Sequence, residues 1–234
     1  MQNTTKPCEY CGSELEVKEI VIGDRVYFGG HKPCTCEQAQ ADREVAEKIA
    51  KENEERRHES IRERKLERSG IPKRYRNAHH PYADKMAKMV KCGQGFYIEG
   101  PNGTGKTTLA MAAGIPLIEQ NIDVYAISTY DLMDAMRSRK DEDRNVYDRA
   151  VSCDVLILDD LGKEASNTQY ACERLFAIID TRDKEMLPSI VTSNYSRGQL
   201  AEQITEGDIG VAIASRLSPS VRVLLDGEDW RLDA

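Results

Sequence analysis

The sequence predicts an α/β fold: a parallel sheet with helices on both faces around a phosphate-binding loop, preceded by a small cysteine-rich module and a charged helix. Three observations lead there. Residues 100–108 read GPNGTGKTT, an unbroken G-x-x-x-x-G-K-[ST] pattern. From Ile71 onward, short apolar runs alternate with helical patterns, the alternation that builds a parallel sheet. Four of the seven cysteines lie within residues 1–36. The 234 residues suffice for one α/β domain plus an appendage. The expected division is a zinc-type module over 1–36, a helical linker over 37–70 and a nucleotide-binding domain over 71–234.

In the first stretch, Cys8-x-x-Cys11 and Cys34-x-Cys36 flank one strand-like run, LEVKEIVIGDRVYFGG. Four thiolates can close a tetrahedral structural zinc site. PCEYCG has knuckle spacing, whereas the second pair is tighter than CxxC. His31, three residues before Cys34, is an alternative ligand ranked behind all four cysteines. A redox CxxC competes with this reading, but the βαβ context it needs is missing. A segment this short has no core of its own, and zinc ligation contributes about 10–16 kcal/mol to such folds. Zinc modules grip either nucleic acid or protein, and both stay open. Cys92, Cys153 and Cys172 fall in apolar or helical stretches and are expected to be structural. The beginning, MQNTTKPCEYCG, lacks the apolar core of a secretory signal, and no apolar run approaches roughly 18 residues. The expectation is a cytoplasmic chain with no membrane partner and reduced thiols.

The middle stretch holds helix formers without internal Gly or Pro, and Gly70 with Pro72 supplies the stop. Its apolar positions, Val45, Ile49, Ile61 and Leu66, are too few for a wide buried face, so a solvated linker helix is expected. Arg56, Arg57, Arg62, Arg64, Lys65 and Arg68, continued by Lys73, Arg74 and Arg76, form a candidate nucleic-acid surface diluted by glutamates. A formal charge of −7 excludes a globally basic binder but not a local patch.

In the last stretch, GFYIEG reads as a buried strand and KTTLAMAAGIPLIEQ as a helix whose N-terminus faces phosphates. The loop Gly100, Pro101, Asn102, Gly103, Thr104, Gly105, Lys106, Thr107 and Thr108 is expected to hold ATP. Its glycines allow backbone N–H groups to converge on oxygen atoms. Lys106 supplies charge to the β- and γ-phosphates, and the Thr107 hydroxyl can hold Mg²⁺. DVYAIS (123–128) reads as a strand and TYDLMDAMRSR as a helix. DVLILDD (154–160) is a strand buried on both faces that ends in two acids. A helical pattern follows over 167–185, then strands SIVTSN (189–194) and SVRVLLDG (220–227). Asp159 is expected to support Mg²⁺, and Asp160 to orient or deprotonate an attacking water. Asn194 can polarise that water or sense the γ-phosphate. Arg216, in IASRLSPS, is a candidate guanidinium for the γ-phosphate, a role that contributes about 10³–10⁵ in rate and that either the same or a neighbouring subunit can supply.

The order GPNGTGKTT, DVLILDDLG, IVTSN, AIASRL resembles the AAA+ ATPases. Within them it resembles the bacterial helicase-loader group of DnaC and DnaI types, with the related IstB transposition ATPases. IPKRYRNA and IIDTRDKEMLPSIVTSN also look like that group, so the resemblance covers about residues 70–226. It implies nucleotide and Mg²⁺ at Lys106 and Thr107, the second nucleotide motif at Asp159 and Asp160, the polar sensor at Asn194 and the arginine finger at Arg216. Arg182 falls in a family-like position with no role attached. As activity, the resemblance implies an ATPase that binds a replicative DNA helicase and single-stranded DNA and forms a homo-oligomer on its partner. One departure is the 18 residues after Arg216 (217–234), too few for the family's helical lid. That implies a truncated module whose adenine pocket one subunit closes poorly. Three alternatives stay open: an IstB-like transposition ATPase, a small-molecule P-loop kinase, and a nucleotide-gated zinc regulator that binds DNA without hydrolysis.

Overall fold

The computed structural model describes residues 6–137, 141–163, 169–204 and 208–227. The chain divides into two compact units, residues 1–61 and 62–234.

In the first unit, β1 (Val17–Ile22) pairs antiparallel with β2 (Arg25–His31). Ile22 opposes Arg25, so Gly23 and Asp24 form a two-residue turn, with Gly23 at φ 60°. Such turns need positive φ, which Gly and Asp tolerate. The single strand-like stretch read from the sequence is therefore a hairpin, and Gly-Asp is the signal that divides it. The unit has almost no apolar core: Cys8 and Ala39 are buried, while Val21, Ile22, Val26 and Phe28 are exposed.

Helix α1 (Glu37–Arg68) begins in this unit, and its last turns from Arg62 belong to the second. Val45, Ile49 and Ile61 are exposed, as the thin apolar pattern predicts. Leu66 is not: it is fully buried beside Ile71 in the core of the second unit. There Arg62 donates to Glu119 at 2.9 Å and Lys65 to Asn121 at 2.8 Å. The expected 37–70 linker is thus divided, because its end supplies core.

The second unit is built on five parallel strands in the order β4-β5-β6-β3-β7. They are β3 (Phe96–Glu99), β4 (Val124–Ser128), β5 (Val155–Leu161), β6 (Ser189–Ser193) and β7 (Val221–Leu224). Successive side chains of a strand point to opposite faces, and here both faces are covered. Phe96, Ile98, Val155 and Ile157 pack with α2 (Ala83–Lys91) and α3 (Lys106–Glu119). Tyr97, Leu156, Leu158 and Val191 pack with α4 (Thr129–Arg137), α5 (Asp141–Ser152), α6 (Gln169–Lys184), α7 (Arg197–Ile204) and α8 (Asp208–Arg216). Burial on two sides explains the unbroken apolar run VLIL in β5. Cys153 and Cys172 are buried as expected; Cys92 is exposed, because it lies just past the end of α2. Among the described residues, no helix is long and apolar enough to cross a membrane.

Arg182 acquires a role here. It is 1% exposed, and its guanidinium donates to the carbonyls of Ala150, Cys153 and Pro188 at 3.1, 2.8 and 2.8 Å and to Ser189 Oγ at 3.0 Å. Burial pulls its pKa below the usual arginine range. A planar fork of five donors can tie the end of α5 to the starts of β5 and β6. Arg182→Ala leaves several buried carbonyls unpaired and is expected to cost about 3 kcal/mol or more, read as a lower urea midpoint. Arg182→Lys should recover only part of this, since one ammonium cannot span the same acceptors. A midpoint unchanged in Arg182→Ala would contradict the role.

Candidate functional site

The chain leaves β3 at Glu99, turns through residues 100–105 and enters α3 at Lys106. Two glycines are required by geometry. A Cβ on Gly100 would lie 1.9 Å from the Leu225 carbonyl oxygen. Gly105, at φ 89°, precedes α3 with no side-chain cap, which leaves the first helical N–H groups open to an anion. β3 lies between β6 and β7, while the chain next forms β4 at the far edge. This reversal is a topological switch point, where open α/β sheets hold ligands at the carboxyl ends of strands.

A cavity of about 270 Å³ opens there, lined by the loop and by Arg74, Tyr75, Asp159, Asp160 and Lys163. Lys106 is 6% exposed, and its Nζ donates to the carbonyls of Gly100 at 2.8 Å and Pro101 at 2.6 Å. Thr107 Oγ1 donates to both carboxylate oxygens of Asp159, at 2.9 and 3.2 Å. A hydroxyl and a carboxylate converging at a helix N-terminus form a hard-oxygen donor set that suits Mg²⁺. Burial pushes the Asp159 carboxyl above its usual range, against the hydrogen bonds from Thr192 and Thr107. A cation placed beside it would reverse that shift. Asp160 has a left-handed backbone, φ 60°, and its carboxylate accepts from Lys163 Nζ at 2.6 Å. Asn194 lies just past β6; its Nδ2 donates to Asn102 Oδ1 at 3.0 Å, and its own Oδ1 is buried without a partner.

The sequence-predicted loop, Lys106, Thr107, Asp159, Asp160 and Asn194 therefore meet at one end of the sheet. Arg216 does not join them. It ends α8 and lines a different small cavity with Gln94, Pro188 and Ser189, at the amino ends of β3 and β6. Strands of about five residues at ~3.3 Å each put it on the order of 15 Å from its own phosphate loop. Its Nε donates to Asp180 at 2.8 Å, with Asp183 at 3.6 Å. Arg74, Tyr75 and Lys163 were not assigned from the sequence. Lys163, three residues after Asp160 across a glycine turn, was findable. Arg74 was visible only as one of many basic residues.

In the first unit the four predicted cysteines converge. Their Sγ atoms all lie within 4.8 Å of one another, with Cys8 to Cys36 at 3.9 Å and Cys11 to Cys34 at 3.5 Å. A disulfide needs about 2.05 Å, whereas a tetrahedron with ~2.3 Å metal–sulfur bonds has edges of about 3.8 Å. His31 is outside the cluster and packs edge-on against Phe28. The Cys11 thiol is lowered to about 6 by hydrogen bonds with Ser13. The Cys34 thiol is pushed up to about 12: the Cys36 backbone N–H lowers it, but hydrogen bonds with Cys11 and Cys8 prevail. Four thiols that cannot all ionise beside one another are the donor set that a thiophilic divalent cation satisfies.

The model of the IstB-like ATP binding protein family matches residues 84–234. An insertion-sequence ATP-binding protein of Geobacillus stearothermophilus is 34% identical over 137 residues, 57% of this chain and 53% of that protein. The replicative helicase loader DnaI of Bacillus subtilis is 25% identical over 150 residues, 59% of this chain and 48% of that one. The crystal structure of the DnaC helicase loader superposes with a TM-score of 0.53 at 26% identity, covering 66% of this chain and 99% of that one. The chain spans about half the length of these curated relatives.

Proposed function

Because this chain belongs to the IstB-like ATP-binding protein family, with an AAA+ fold, we propose that it is an ATP-dependent helicase loader. In this reading the ATPase unit binds and hydrolyses ATP, and the cysteine module holds zinc and grips a replicative helicase. One observation carries the choice of loader: the four-thiol cluster ahead of the ATPase unit, a separate module with which the chain could grip a protein partner. Loader relatives among the matches support it.

The residues have separable tasks. The loop N–H groups and Lys106 bind the phosphates. Thr107 and Asp159 would hold Mg²⁺, which supplies charge neutralisation to the phosphates. Asp160 and Asn194 orient the attacking water, with Asp160 accepting its proton. Arg216, remote from its own loop, completes the site of a neighbouring subunit, so the active form is a homo-oligomer assembled on the partner and on single-stranded DNA.

The deciding test is co-purification with a replicative helicase under reducing conditions with zinc and ATP. A stable complex is expected, and its absence would sink the loader reading. A second reading, a transposition ATPase, draws on the 34% identity to the insertion-sequence protein. DNA remodelling with a transposase and no helicase contact would establish it instead.

Subunit sharing has its own test. Arg216→Ala should bind ATP as the parent does and lose roughly 10³-fold in partner-stimulated hydrolysis. Mixing it with Lys106→Ala should restore activity, because intact loops then face intact arginines. Parental hydrolysis by Arg216→Ala alone, or no recovery in the mixture, would contradict a finger acting between subunits.

A further inference from the structure

The two acids at the end of β5 are not held by the sheet in the ordinary way. Leu158 opposes Val191 and Leu161 opposes Ser193, so Asp159 and Asp160 stand against a single residue of β6, Thr192. Two residues against one is a β-bulge, which bends the strand and re-aims its side chains. The bulge places Asp160 at φ 60°, in the left-handed region that non-glycine residues seldom occupy. Something must hold that conformation.

Thr192 occupies the gap. It is fully buried, and its Oγ1 donates to Asp159 Oδ1 at 2.6 Å while accepting from the Asp160 backbone N–H at 2.9 Å. A hydroxyl is both donor and acceptor, and here one oxygen uses both capacities on neighbouring acids. Asp159 Oδ1 also accepts from Thr107. Two hydroxyls, one from the phosphate-loop helix and one from β6, therefore fix the carboxylate. Two residues further on, the same strand delivers Asn194 to the loop through Asn102.

We propose that Thr192 is a positioning residue that sets Asp159 for the metal and Asp160 for the water, and joins both to the Asn194 end of β6. The inference rests on the ATP reading above, and it concerns how Mg²⁺ is coupled to nucleotide. Valine has threonine's shape without the hydroxyl. Thr192→Val would leave Asp159 with one fewer donor and the Asp160 N–H unpaired in the bulge. Serine keeps the hydroxyl.

The test compares binding of a fluorescent ATP analogue with Mg²⁺ and with EDTA, beside single-turnover hydrolysis. In Thr192→Val, affinity in EDTA should stay within about twofold of the parent, while the tightening produced by Mg²⁺ should fall about 10–100-fold, with hydrolysis falling alongside. Thr192→Ser should recover most of both. A merely structural role would lower the melting temperature without separating the Mg²⁺ and EDTA titrations. If the valine variant does not fold, Thr192→Ala supplies the same reading. Parental Mg²⁺ tightening in a folded Thr192→Val or Thr192→Ala overturns the proposal alone. A parent chain with no nucleotide affinity overturns the ATP reading, and this inference falls with it. A parent that binds but does not hydrolyse leaves the Mg²⁺ comparison decisive.

Discussion

Lys106→Ala is expected to weaken ATP binding about a hundredfold or more while leaving the fold intact. The ammonium is almost wholly buried, held by the carbonyls of Gly100 and Pro101. It thus already stands within the loop that receives the phosphates. A hydrogen bond to a charged group contributes about 1.5–3 kcal/mol, and 2.8 kcal/mol is roughly a hundredfold in affinity. The cavity would keep Arg74 and Lys163 on its wall, so binding should weaken steeply rather than lose all charge dependence. Asp160→Asn provides the contrast. It should bind ATP near parental affinity and lose about 10²–10⁴-fold in hydrolysis, the range for removing a general base. Calorimetric titration with ATP, beside phosphate release, separates the two. Affinity within threefold of parental in Lys106→Ala would refute the assignment of the loop. Hydrolysis unchanged in Asp160→Asn would refute Asp160 as the base. Negligible hydrolysis by the parent, with function lost in Lys106→Ala but intact in Asp160→Asn, would favour the nucleotide-gated regulator over the ATPase.

What could be read from the sequence divides by the range of the interaction responsible. The phosphate loop, β3 and α3 are local: a glycine pattern, an apolar run and a helical run adjoin one another. The acids of β5 were legible for the same reason. Thr192 was not, because nothing in SIVTSN states that β5 carries one residue more than β6 at that level. The bulge exists only in the pairing. Arg182 is similar. A lone arginine in a charged helix end, DTRDK, looks solvated, and it becomes a core residue only when β5, β6 and α5 present their carbonyl groups to it. Leu66 shows the reverse error, since a helix with few apolar residues can still bury one completely at its last turn. Motif order singles out Arg216 as a candidate, whereas its distance from its own phosphate loop follows from which ends of the strands α8 meets.

If the cysteine module holds zinc as proposed, its removal is the second perturbation with a large expected effect, and it should act on one unit only. Among the described residues of the first unit, the buried apolar side chains are Cys8 and Ala39, while both hairpin strands expose valine, isoleucine or phenylalanine to solvent. So little burial cannot offset the chain entropy of ordering the segment, about 1–2 kcal/mol per residue for the backbone alone. Metal ligation would add about 10–16 kcal/mol to what the hairpin's own hydrogen bonds supply, the largest single contribution open to a module with so small a core. Chelation, or Cys11→Ser, is therefore expected to collapse the dispersion of the hairpin resonances in an NMR spectrum and to abolish the proposed helicase contact. ATP affinity should persist, because Lys106 and its neighbours belong to a unit with its own core. The pH dependence follows from the thiols. Binding needs thiolates, and Cys34 in the metal-free cluster is pushed up to about 12, so zinc must displace its proton at any physiological pH. Lowering the pH adds competition at Cys11, lowered only to about 6. Affinity should thus fall as pH decreases from 7, and more steeply below about 6 where Cys11 too is protonated in the metal-free state. Metal content measured across that range, beside the hairpin resonances, checks both. A hairpin and a helicase complex that survive chelation would show that the cysteines are not what holds the module together.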